Sequence, residues 1–261
     1  MALERIREKH PDFAFEVVGF SEIDGAAIKA YGLVHGEDIP NYGDISKIDW
    51  DEVPDFDLFT MSSPCQDFSV AGLRQGAEEG SGTRSSLLWE CRKAILAKKP
   101  KYVFFENVAN LVSKQFLPLF LKWVNELDGY GYKSFLPPVF ETPWKTKKQT
   151  RRYIMDASDY GVPQHRERVY MISILRTEDD PDPRYEFPKP MPLDRHLIDV
   201  LEDDVEERYF VSDKMLKYFR SVDADKSHGH NFNPKKRDRV AFTIRTEPGQ
   251  RVDDNFLEEW F

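Results

Sequence analysis

The sequence predicts a doubly wound, mostly parallel α/β sheet, and three observations carry that expectation. Short apolar stretches alternate with helical patterns of about ten residues, as strands joined by crossover helices do. Hydrophobic residues make up 40% of the 261 positions and aromatics 13%, enough for a sizeable core. Polar and reactive side chains cluster beside the apolar stretches, and in such sheets ligands bind at the carboxyl ends of strands.

The elements follow in order. Ala2 to His10 reads as an amphipathic helix with Leu3 and Ile6 on one face. Phe15 to Phe20 reads as a short apolar strand and Ala26 to Tyr31 as a helix. Asp57 to Ser62, DLFTMS, is a second strand that runs into Pro64 and a polar, Gly-rich loop through Gly82. Ser85 can cap a helix over Leu87 to Lys98, which Pro100 ends. Tyr102 to Glu106, YVFFE, is a buried strand, and Phe116 to Leu127 a helix with Pro118 in its first turn. Tyr132 to Phe140 and Val169 to Leu175 complete the strands. After about Arg176 the chain turns rich in proline and charge, with helical patterns near Leu197 to Leu201 and Lys214 to Phe219. We therefore expect a first domain over residues 1–180, and a linker with a smaller region over residues 181–261.

Composition excludes several classes. No apolar run approaches the roughly 18 residues of a membrane span, and Met1 opens no signal-peptide pattern. Two cysteines, Cys65 and Cys91, make no disulfide framework, and no Cys/His cluster has zinc spacing; no metal is expected. A net charge of −9 speaks against coating nucleic acid by bulk electrostatics. Two basic runs stand out nonetheless: Lys145, Lys147, Lys148, Arg151 and Arg152, then Lys235, Lys236, Arg237 and Arg239. Each reads as a solvated face or as a localised surface for a polyanion.

Three strands border on chemistry-bearing groups. Ser63-Pro64-Cys65-Gln66 follows DLFTMS, Glu106-Asn107-Val108 follows YVFF, and Gln164-His165-Arg166-Glu167-Arg168 precedes VYMISIL. Singly, these read as a core cysteine, a capping turn and a surface ion-pair lattice. Together they suit addition across an electron-poor ring. A cysteine in a loop at a sheet edge can be exposed and reactive, and Pro64 stiffens the approach to it. A carboxyl group at the neighbouring strand end can protonate a ring nitrogen, and two arginines one residue apart can hold a carbonyl oxygen and a phosphate. A cysteine hydrolase is disfavoured, because His165 is the only histidine near these ends. Cys91 sits in a helical pattern and reads as core.

On these residues the chain resembles the cytosine-C5 DNA methyltransferases. SPCQDFSVAG at Ser63 to Gly72 resembles their nucleophile loop, FENVANL at Phe105 to Leu111 their Glu-Asn-Val motif, and DYGVPQHRERVYMISI at Asp159 to Ile174 their Gln-x-Arg-x-Arg segment. GFSEID at Gly19 to Asp24 and YGDISKID at Tyr42 to Asp49 resemble their cofactor-binding elements.

The resemblance implies a Rossmann-like, S-adenosylmethionine-dependent fold with part of a target-recognition region. It assigns attack on C6 of an extruded cytosine to Cys65 and stabilisation of the base to Glu106. Contacts to the cytosine carbonyl and the backbone fall to Arg168 and, secondarily, Arg166. Glu22, Ile23, Asp44, Ile45 and Pro64 would bind the cofactor, and Gln66, Ser69 and Arg84 would lie near the DNA. The implied partner is double-stranded DNA, in the cytoplasm of a bacterial or phage-infected cell.

The family also opens with a strand and a Gly-rich turn, and closes with a further motif and helix. Neither lies between Met1 and Phe261, and TIRTEPGQRVDDN at Thr243 to Asn255 reads as recognition region still in progress. The expectation is a fragment or truncated reading frame, with a split enzyme needing a complementary polypeptide and a rearranged gene as the other origins. Alone, it is expected to bind cofactor poorly and to methylate little. An RNA cytosine-C5 methyltransferase of the same fold and a non-catalytic subunit are the rival readings.

Overall fold

The computed structural model describes residues 2–62, 88–142, 152–207, 210, 212–221 and 240–241. Contacts divide the chain into unit 1, Met1–Phe135 with Met171–Tyr185, and unit 2, Leu136–Tyr170 with Glu186–Phe261.

Unit 1 is built on alternation. In β2 (Tyr102–Val108) the side chains of Val103, Phe105 and Asn107 are buried, while Phe104, Glu106 and Val108 are half-buried. This period of two places Glu106 on the less covered face of the sheet. β2 pairs in parallel with β1 (Leu58–Met61), with Leu58 opposite Tyr102 and Met61 opposite Phe105. The strand order is β1-β2-β5-β3, where β3 is Tyr132–Phe135 and β5 is Glu167–Leu175. β3 and β5 run antiparallel, Tyr132 opposite Leu175, so the sheet is mixed.

Two helices cover the sheet with helical-period faces. α3 (Cys91–Lys98) buries Cys91, Ala94 and Ile95, and α4 (Leu117–Gly129) buries Phe120, Trp123 and Leu127. The Phe105 and Phe120 rings stack at 5.8 Å, and Trp89 meets Trp123 edge-on at 5.6 Å. α3 ends at Lys99, which takes the left-handed conformation (φ 44°) and donates its N–H to Ile95 O. Pro100 follows and supplies the carbonyl that accepts the Tyr132 hydroxyl at 2.8 Å. Burial pushes the Tyr132 phenol up to about 12.

Ahead of this core stand α1 (Ala2–Lys9) and α2 (Gly25–His35), neither with a buried residue. Asp24 caps α2, accepting the Ala27 N–H at 2.8 Å.

Unit 2 contains β4 (Ile154–Asp156), antiparallel to the first residues of β5: Ile154 faces Val169 and Asp156 faces Glu167. A 3-10 turn over Ala157–Asp159 follows. The Met191 N–H donates to Asp159 O at 2.9 Å and the Tyr160 hydroxyl to Pro188 O at 3.3 Å. A 3-10 turn over Leu197–Val200 and the helix α5 (Asp213–Ser221) lie further on. No helix among the described residues is long and apolar enough to cross a membrane.

Three expectations differ from the structure, and one strand was not foreseen. Phe15 to Phe20 forms no strand: only Phe20 is bridged, to Asn41, through Phe20 N to Pro40 O at 3.0 Å and Tyr42 N to Phe20 O at 2.8 Å. Apolar alternation makes a strand only where a neighbour offers a ladder. Gly19 belongs to this close approach, since a β-carbon there would lie 2.8 Å from Pro40 O. β3 stops at Phe135 rather than Phe140, ahead of Pro137 and Pro138, which lack the N–H a ladder needs. α3 begins at Cys91 rather than Leu87, and the proposed Ser85 cap lies outside the described residues. β4 was not expected, because three residues carry no readable periodicity.

Candidate active site

The parallel β1/β2 register positions the first part of the site. Met61 is opposite Phe105, so Ser62, just past the end of β1, comes beside Glu106 within β2. The Ser62 hydroxyl donates to Glu106 Oε2 at 3.2 Å. Glu106 is half-buried, and Asn107 beside it is buried, with its Oδ1 accepting the Val108 N–H at 2.9 Å. Cys65, with Pro64, Gln66, Ser69 and Arg84, lies outside the described residues.

The other cysteine is placed. Cys91 is 5% exposed, and burial pushes its thiol up to about 12. A thiol held that high supplies almost no thiolate at neutral pH, so Cys91 cannot serve as a nucleophile there.

The two arginines belong to unit 2. Arg166 directly precedes β5 and Arg168 lies within it, so the two-residue period sends both side chains to one face of the strand. Arg168 donates from Nη1 to Glu167 O at 2.8 Å. Arg166 is held at its backbone, with its N–H donating to Asp156 Oδ1 at 3.0 Å and its carbonyl accepting from Ala157 N at 3.1 Å. Asp156 was missed in the sequence, where an acidic residue ten positions away gives no signal of this contact.

Four of the candidate cofactor residues, Glu22, Ile23, Asp44 and Ile45, sit on two turns of unit 1, joined by a second missed residue. Asn41 Oδ1 accepts from Glu22 N at 3.1 Å and Gly43 N at 3.0 Å, while its Nδ2 donates to Glu22 O at 3.0 Å. The turn bearing Glu22 is thereby stapled to the turn bearing Asp44. Glu22 Oε1 accepts the N–H groups of Ile23 at 2.8 Å and Asp24 at 2.9 Å, which aligns the carboxylate and leaves Oε2 for a ligand. Asp44 Oδ1 accepts from Ser46 N at 3.0 Å and Ser46 Oγ at 2.8 Å. The Ser46 hydroxyl and amide, with Lys47 nearby, hold the Asp44 carboxyl below its ordinary range. Ile45 is half-buried, and Ile23 presents an apolar side chain that is 74% exposed.

The sequence profile of the C-5 cytosine-specific DNA methylase family matches residues 1–255. The chain belongs to this family. Among its relatives, the type II methyltransferase M2.ScrFI of Lactococcus lactis subsp. cremoris is 43% identical over 176 residues, covering 67% of this chain and 43% of the relative. The orphan methyltransferase M.Rho11sI of Bacillus phage rho11s is 30% identical over 269 residues, covering 92% and 48%. The chain thus spans less than half the length of either. Its fold is shared with the Entamoeba histolytica methyltransferase EhMeth at a TM-score of 0.62 and 17% identity, over 97% of this chain and 79% of that one. It is therefore an α/β, Rossmann-like methyltransferase fold.

Proposed function

We propose that this chain carries the chemistry of a DNA (cytosine-5-)-methyltransferase that acts on a cytosine extruded from duplex DNA. One observation carries the reading. The Ser62–Glu106 contact means that the chain leading to Cys65 departs beside a carboxyl group. Cys65 is three residues on, and a fully extended chain spans at most about 3.6 Å per residue, so it lies within about 11 Å of Ser62.

Cytosine C5 is too electron-poor to take a methyl group directly. Cys65 Sγ, as thiolate, forms a bond to C6, and the C5–C6 π pair moves onto C5. Glu106 holds a proton at ring N3 and accepts a hydrogen bond from the exocyclic amine, so charge building on the ring is neutralised. Once C5 carries the methyl group, a base removes the C5 proton. The C5–H pair re-forms the double bond and the C6–S bond breaks, which returns the thiolate. Arg168, with Arg166 beside it, holds the cytosine carbonyl oxygen and the adjoining phosphate. Extrusion of the base costs a few kcal/mol, and Gln66, Ser69 and Arg84 are the proposed contacts to the opened DNA.

S-adenosylmethionine, when bound, supplies the electrophilic methyl group. The residues fit it: Glu22 Oε2 is an acceptor for ribose hydroxyls, Asp44 an acceptor for an amino group, and Ile23 and Ile45 apolar cover for a purine. Pro64 completes this set by the family resemblance. We assign catalysis to residues 1–180 and target recognition to residues 181–261, after the proline- and acid-rich segment. The bacterial and phage sources of the relatives support a bacterial or phage-infected cell as the setting. The exposed Leu33 and Val34 side chains, 75% and 57%, support a complementary polypeptide as a further partner.

The test uses a duplex with 5-fluorocytosine, whose C5 substituent cannot leave as a proton, so the adduct persists. S-adenosylmethionine is held in large excess and the protein stoichiometric with the duplex. The wild-type chain and Cys91→Ser are expected to accumulate a protein–DNA adduct that survives denaturation, slowly because the chain alone binds cofactor poorly, and Cys65→Ser none. Glu106→Gln should slow adduct formation about 100-fold or more. An adduct formed by Cys65→Ser overturns the proposal.

A further inference from the structure

We infer that Asp156 is a positioning residue for the reaction, whose carboxylate fixes the register of the segment that presents Arg166 and Arg168. The inference rests on the reading above that these arginines grip the extruded nucleotide.

Three bonds from described residues bear on the inference and converge on this carboxylate. Oδ1 accepts from Arg166 N at 3.0 Å and Ser158 N at 3.2 Å, and Oδ2 lies 3.1 Å from His165 Nδ1. The Asp156 side chain is only 13% exposed. Capping the 3-10 turn at Ala157 needs the Ser158 bond alone. The other two reach nine and ten residues along the chain, to the residues immediately before β5.

Their placement decides their use. Asp156 opposite Glu167 is the last pair of the β4/β5 ladder, and just beyond it strand pairing no longer holds the chain. There the Asp156 carboxylate takes the Arg166 N–H, and Ala157 N donates to the Arg166 carbonyl at 3.1 Å. Both backbone polar groups of Arg166 are therefore tied to the β4 side of the hairpin. Because side chains alternate, a slip of one residue would carry both arginines to the opposite face of the strand. The carboxylate blocks that slip. It also restrains His165, whose Nδ1 is 3.3 Å from the Ser158 hydroxyl.

The test compares wild type, Asp156→Asn, Asp156→Ala, Asp156→Glu and Arg168→Ala in single-turnover methyl transfer to duplex DNA, with S-adenosylmethionine varied and amide exchange of residues 165–168 followed in parallel. Asp156→Asn keeps an Oδ1 acceptor for Arg166 N and should stay within about fivefold of wild type. Asp156→Ala should exchange faster at Arg166 and lose about 100-fold in the transfer rate, with KM for S-adenosylmethionine unchanged. Should Asp156→Ala fail to fold, Asp156→Glu decides, since it displaces the carboxylate by one methylene. About tenfold slower transfer at an unchanged KM supports the inference, and wild-type transfer overturns it. If Arg168→Ala loses transfer while Asp156→Ala keeps it, the inference alone fails. If Arg168→Ala transfers as fast as wild type, the reading of the site fails and takes this inference with it.

Discussion

Residues 2–52 and residues 53–135 both belong to unit 1, yet different forces hold them. None of residues 2–52 is buried; the core begins at Val53 and runs through Trp89, Ile95, Phe105, Phe120 and Trp123 to Tyr132. The earlier segment is shaped by side chains bonded to nearby backbone: Asp24 to Ala27, Glu22 to Ile23 and Asp24, Asn41 to Glu22 and Gly43, Asp44 to Ser46. Its main ring contact is Phe20 stacked on Tyr31 at 4.1 Å. Both regions carry candidate site residues, but Glu22 and Asp44 are aimed by polar turns, whereas Glu106 is aimed by a packed strand. Such turns orient carboxylates without desolvating them, which suits ligand binding. A rigid strand end suits a group that must act on one ring atom.

Breaking the packed region should have the largest effect. Phe120→Ala removes a fully buried ring and should cost about 3–5 kcal/mol, seen as a lower denaturant midpoint. Leu33→Ser, on the exposed face of α2, should change the unfolding free energy by less than about 0.5 kcal/mol. A comparable loss from both would erase the contrast between the regions. Asp24→Ala removes the α2 cap and should cost about 1 kcal/mol, with faster amide exchange at Ala27.

Lys99→Gly relieves a left-handed residue at the end of α3 and should raise the unfolding free energy by about 0.5 kcal/mol, seen as a higher midpoint. The finest probe is Asp44. Its folded-state pKa lies below the ordinary 3.8, so its stabilising contribution is complete above that value and is lost as pH falls through the lowered folded value. Ser46→Ala should bring the carboxyl titration back up toward 3.8, read by NMR of the carboxyl carbon. An unmoved titration would show that Ser46 does not hold it.

How much was legible follows from the range of each signal. The α4 face was readable because Phe120, Trp123 and Leu127 recur at helical spacing, and β2 because its apolar run stands between Pro100 and a polar motif. Glu106 and the arginine pair could be picked out from their neighbours in sequence. Asn41 and Asp156 could not: the partners of Asn41 include a residue nineteen positions back, and Asp156 reaches ten positions forward. The strand expected at Phe15 to Phe20 failed for the same reason, since a ladder depends on a neighbour.

By itself, then, the sequence determined the α/β class, the family, and the candidate nucleophile, acid and arginines, because these depend on local periodicity and on residue types in fixed order. Tertiary structure decided that Ser62 meets Glu106 and that Asp156 and Asn41 bond the segments carrying the candidate residues. Those outcomes depend on which segments become neighbours, and strand register and burial arise only once the chain has packed.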